Sequence, residues 1–134
     1  MLLPHAATVI VTDGETVHLF RNDGDPLSPS LAALPAPAIH GTGSDAGTRH
    51  HSGAANPSDR QLREDGHAAA TAAWLNAEVI SGRIQKLLII AAPKTLGELR
   101  RHYHTLLADR LVGEIAKELT GHRTGDIAAA IAAA

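Results

Sequence analysis

Nine histidines, fourteen acidic side chains and no cysteine set the chemistry this chain can attempt. Without thiols, disulfide frameworks, thiolate catalysis and zinc ribbons drop out, and imidazoles are the only soft metal ligands left. The histidines gather at His40, His50, His51 and His67, with His102 and His104 further on. A metal centre needs three or four ligands to converge, yet two helical residues spaced like His102 and His104 point roughly 160–200° apart. No HExxH pattern occurs, so the expectation is solvent-exposed imidazoles with no metal and no cofactor. A two-metal nuclease would need several carboxylates at strand ends. Asp13, Glu15, Asp23, Glu64 and Asp65 are available, but turn formation accounts for Asp13 and Asp23, and Ala91-Ala92-Pro93 brings no acid. Ser44, Ser52 and Ser58 have histidine neighbours without an elbow motif to activate them. The glycines of Gly41-Thr42-Gly43-Ser44-Asp45-Ala46-Gly47 are misspaced for a dinucleotide fingerprint, and no GxxxxGK[ST] run is present. Residue chemistry alone therefore identifies no enzyme.

A net charge of −2 excludes recruitment of nucleic acid or membrane by bulk charge. The distribution is uneven, with the positive excess on residues 86–110. There Lys94, Arg100, Arg101 and His104 fall off a Leu96-Leu99-Tyr103-Leu106 helix face and are available to phosphates. Arg49, His50, His51, Arg60 and Arg63 add to them if the two regions share one edge of the fold. No apolar run approaches about 18 residues, and the opening Met1-Leu2-Leu3-Pro4-His5 lacks the charged start of a secretory signal. The expected setting is cytoplasmic, without membrane insertion.

The elements that must position these groups read as one α/β domain over 1–134. Thr8–Asp13 and Thr16–Arg21 flank Asp13-Gly14 as a hairpin. Asn22-Asp23-Gly24-Asp25 then leads to a third, edge strand around Leu27–Leu34, which carries Pro29. Residues 35–57 interleave Gly and Pro with Ser, Thr and His and read as a long loop, a length uncommon in compact domains and often functional. Ser58 with Gln61 forms a capping box opening a helix that stops at Ser81-Gly82. Lys86–Ala92 is the continuous apolar run of a central strand. Thr95 with Glu98 opens a second long helix running through Leu107. Leu111–Leu119 fits a helix face and a strand face alike; Gly113 and the need to complete the sheet favour a strand. Asp126–Ala133 closes the chain as a short helix prone to fraying. The order β-β-β-α-β-α-β-α is similar to that of ribonuclease-H-like sheets.

Several segments taken together, MLLPHAATVIVTDGETVHLFRNDGD, HGTGSDAGTRHHSGAANP, DGHAAATAAWLN, LLIIAAPKTLGELRRHYH and LVGEIAKELTGH, resemble the small bacterial host attachment proteins over nearly the whole chain. That family is in turn similar to bacterial relatives of the archaeo-eukaryotic release factors, in particular their middle domain. There a glycine-rich loop with a Gly-Gly-Gln tip precedes a long helix and enters the peptidyl-transferase centre. Here His40-Gly41-Thr42-Gly43-Ser44 occupies the corresponding place, and the Gln is missing. The resemblance thus implies a non-catalytic domain that binds ribosome or tRNA. The candidate RNA-binding set is His40, Gly41, Gly43, Arg49, His50, His51, Arg60, Arg63, Lys94, Arg100, Arg101 and His104. Two alternatives stay open: hydrolysis of an RNA or peptidyl-tRNA ester by the loop histidines, and a protein–protein interaction module that affects cell attachment indirectly.

Overall fold

The computed structural model describes residues 1–39 and 57–134. The expected hairpin forms from β1 (Thr8–Thr12) and β2 (Val17–Asn22), antiparallel, with Ile10 opposite Leu19 and Val9 opposite Phe20. Asp13 builds its turn: Oδ1 accepts from the backbone N–H groups of Glu15 at 2.7 Å and Thr16 at 2.6 Å, the local bonding that makes Asp a turn residue. β3 (Leu31–Leu34) pairs antiparallel with β2 at the sheet edge. It starts later than the sequence suggests, because Pro26 and Pro29 have no N–H to give a ladder and residues 23–30 instead close a turn, with Asp23 N–H donating to Ser30 O at 2.9 Å.

After the segment that ends at residue 56 come α1 (Pro57–Ile80) and β4 (Leu87–Ala91). They are followed by α2 (Pro93–Arg100), α3 (Thr105–Arg110), β5 (Leu111–Ala116) and α4 (Thr124–Ala133). The sheet order is β3-β2-β1-β4-β5, with β4 parallel to β1 and β5 parallel to β4. This is the mixed α/β sheet of the sequence reading, a meander followed by parallel crossovers. β4 is buried along its whole length, as a strand covered on both faces requires.

On one face, Ile10, Leu19, Leu87 and Ile89 pack against Ala72 and Leu75 of α1, Leu96 and Leu99 of α2, and Leu107 of α3. On the other, Val9, Val11, Leu88 and Ile90 pack against Ile127 and Ile131 of α4. Small Ala68 and Ala72 let α1 lie close to the sheet. The helix stops as expected at Gly82, which has φ +84° and donates its N–H to Val79 O at 3.1 Å, the left-handed C-terminal stop that glycine accepts without strain.

Further details differ from the sequence reading. First, the second crossover helix is broken into α2 and α3. Asn76 of α1 holds the break from both sides: its Nδ2 donates to His102 O at 2.9 Å, and its Oδ1 accepts from the His104 N–H at 2.9 Å. His104 then caps α3, its Nδ1 accepting from Leu106 N–H at 3.0 Å. Second, α2 begins at Pro93, with Ala92 as N-cap, so Thr95 lies inside the helix and the expected capping box does not form. Proline suits the first helical position, since its missing N–H would have no partner there anyway. Third, α4 is anchored, with Ile127 and Ile131, four residues apart, both buried in the second core. β5 ends at Ala116, and Leu119 folds back to pack in that same core. Among the described residues no helix is long and apolar enough to cross a membrane.

Candidate nucleic-acid interface

The carboxyl ends of β1 and β4 lie together, since Thr12 pairs with Ala91. The start of β2 shares this edge, with Thr12 opposite Val17, and α2 opens directly from it. α1 runs back from the same edge to feed β4. Its 24 residues span about 36 Å, against about 17 Å for a five-residue strand. The helix therefore overhangs the sheet. The β1–β2 turn rests on its early turns, because a Cβ placed on Gly14 would come within 2.6 Å of Glu64 Cγ.

His67 lies under that turn. The residue is 7% exposed, and its Nδ1 is buried with no hydrogen-bond partner among the described residues. Burial lowers its pKa below the ordinary 6.5, although Asp13 and Glu15 pull the other way. The unfolded chain thus takes up a proton more readily than the folded one. The stability that depends on neutral His67 is complete above 6.5 and is lost as pH falls toward the folded value. Urea midpoints are expected to drop between about pH 7 and pH 5, and His67→Gln to flatten part of that drop. Equal slopes in the two proteins would show that His67 contributes nothing to it.

Arg60, exposed, and Arg63, half-buried, stand on the first turns of α1, and Lys94 is exposed on the first turn of α2. None of the three has a carboxylate within ion-pair distance among the described residues. α1 packs beside α2, so these cations share one edge of the fold.

Arg100 and Arg101 lie at the far end of α2 and are engaged differently. Arg100 Nε and Nη2 both donate to Glu114 Oε1, at 3.0 and 2.8 Å. Tyr103 donates to the other oxygen of that carboxylate at 2.7 Å. Burial, together with this bond, pushes the Tyr103 hydroxyl well above the usual phenol range. Arg101 pairs with Glu98 at 3.3 Å, and His102 approaches the same carboxylate at 3.1 Å. His104, expected as a phosphate contact on a continuous helix, is the exposed cap of α3.

Of the twelve candidate positions, Arg60, Arg63 and Lys94 come to the carboxyl edge, while Arg100, Arg101 and His104 lie away from it. His40, Gly41, Gly43, Arg49, His50 and His51, together with the rest of the predicted loop up to residue 56, lie outside the described residues; the described stretch 35–39 brings Ile39 against the first core. The sequence reading missed Glu114 and Glu98 as partners of the helix cations. It also grouped His67 with the loop, although its spacing to Thr71 and Leu75 marks a buried helix face. Among the described residues no group of three or more His, Asp or Glu side chains could hold a metal ion.

No curated protein matches the chain. A family model, that of bacterial archaeo-eukaryotic release factor family 12, matches residues 6–131. The match spans the meander, the overhanging helix and both parallel crossovers, and with it the chain belongs to that release factor family.

Proposed function

We propose that this protein is a non-catalytic, release-factor-like domain that acts in the cytoplasm by binding ribosomal RNA or tRNA through residues 40–63 and the start of α2. The observation that carries this reading is the pair Arg60 and Arg63, cations without carboxylate partners among the described residues, on the overhanging start of α1, with Lys94 on the same edge. Point charges without local partners are free to replace the counterions of a phosphate backbone. The family supports a translation-related setting. The missing Gln of the His40-Gly41-Thr42-Gly43-Ser44 stretch supports binding without ester hydrolysis. A link to host attachment, as the host attachment resemblance suggests, would then be an indirect effect of this binding.

Co-sedimentation with ribosomes across a salt series tests the reading. Wild type is expected to pellet with ribosomes at low salt and to be released as salt rises. Arg60→Ala with Arg63→Ala should weaken association by about tenfold and lower the salt slope by about 2, one for each lost phosphate contact. Arg100→Ala with Arg101→Ala should have the smaller effect, because these side chains already face Glu114 and Glu98. No association at low salt, or equal association by the Arg60/Arg63 variant, would refute the proposal.

A further inference from the structure

On the α4 face, at the carboxyl end of the sheet and across it from α1 and α2, a hollow of about 110 Å³ opens between β2 and the turn that leads into α4. Its walls are the buried side chains of Val11, Phe20, Leu119 and Ile127, and it is also lined by the exposed imidazoles of His18 and His122. The strand register places Val11 opposite His18 on one face of the hairpin. The other wall comes from residues 119–122, a turn that passes through Gly121 at φ +84° and closes with His122 N–H donating to Leu119 O at 3.1 Å.

The lining is asymmetric. Among the described residues no acidic side chain contributes to it, and two imidazoles do. The N-terminus of α4 follows immediately, an end at which helices favour negative charge and whose first turn already carries Asp126. In the same turn the Thr120 hydroxyl oxygen is buried with no hydrogen-bond partner among the described residues. An apolar cavity of roughly 150 Å³ holds a benzene ring, and this smaller space suits a branched body of about four carbons.

We propose that this hollow is a binding site for a short branched-chain carboxylate, with the alkyl body against Val11, Phe20, Leu119 and Ile127 and the carboxylate held by His18 and His122. The apolar walls exclude strongly hydrated ligands, and the imidazole rim selects an acid over a neutral molecule of the same shape. The site is independent of the RNA-binding reading and stands or falls separately.

The test is a two-dimensional NMR titration of the full chain with isovalerate, 3-methylbutan-1-ol and acetate as probes. Isovalerate is expected to shift the Val11, Phe20, Gly121 and Ile127 amides saturably, with the alcohol weaker and acetate weaker still. His18→Gln with His122→Gln alters two exposed side chains and should leave the rest of the spectrum in place. It should weaken isovalerate by about tenfold, the loss expected when charge-assisted bonds to a carboxylate are removed, while leaving the alcohol within about twofold. Any of three results would overturn the proposal: no saturable shift at these amides by tens of millimolar, acetate matching isovalerate, or an isovalerate affinity that survives the double substitution.

Discussion

Asn22→Ala is expected to lower the unfolding free energy by about 3–4 kcal/mol, read from urea denaturation. Asn22 is completely buried at the end of β2, and every hydrogen-bonding site of its amide is used. Nδ2 donates to Leu3 O at 2.9 Å and Pro4 O at 3.3 Å, while Oδ1 accepts from the N–H groups of Gly24 at 2.9 Å and Ser30 at 3.0 Å. Truncation to alanine leaves one buried and three part-buried backbone groups on two separate segments without their partner, and a fully buried orphan costs about 1–3 kcal/mol. Asn22→Asp keeps the acceptor half but aims a carboxylate at two carbonyl oxygens, and should fare no better.

The surrounding backbone depends on the same residue. Ala6 adopts φ +67°, a left-handed conformation unusual for a residue with a Cβ, and its N–H donates to Asn22 O at 2.7 Å. Gly24 is needed for close approach, since a Cβ there would lie 2.6 Å from Ser28 O and 2.8 Å from Ser30 N, both main-chain atoms that cannot swing aside. Asn22 therefore fixes the turn that launches β3, the last strand before the chain leaves for the 40–56 segment. A loss below about 1 kcal/mol would mean that water satisfies the exposed groups and that this clamp is not structural.

Ile131→Ala should cost about 3 kcal/mol, within the range found when a fully buried Ile is cut back to Ala. Its side chain has no solvent exposure and packs in the core formed with Val9, Val11, Leu88 and Ile90. Ala129→Gly, at an exposed position of the same helix, should cost only about 1 kcal/mol through helix propensity. If α4 frayed in solution, the two substitutions would have similar small effects, so the gap between them measures how firmly α4 covers this face. That cover also forms one wall of the hollow beside His18 and His122.

The elements easiest to read in the sequence are those whose burial pattern is written locally. β1 declares itself through a β-branched apolar run and β2 through apolar alternation, on either side of Asp13-Gly14, and β4 through an unbroken apolar run, because strand burial repeats over two residues or extends over all of them. The end of α1 at Ser81-Gly82 was equally legible, since a left-handed stop needs only the glycine itself. The Thr95 and Glu98 pair was misleading: Pro93 two residues earlier is the stronger start, and Glu98 turns to Arg101 and His102 instead.

Sequence by itself determined the sheet's meander, its central strand, the acid-poor strand ends and the kinship with bacterial relatives of the release factors. Tertiary structure alone decided where the second crossover breaks, because Asn76 reaches it from another helix. It also separated two sets of arginines that look alike in sequence. Arg60 and Arg63 start an overhanging helix and face no carboxylate among the described residues, whereas Arg100 meets Glu114 only because α2 packs across the sheet toward β5. Charge availability is a property of pairs brought together by folding, and spacing along the chain encodes such pairs only when they lie within a turn or two of the same helix.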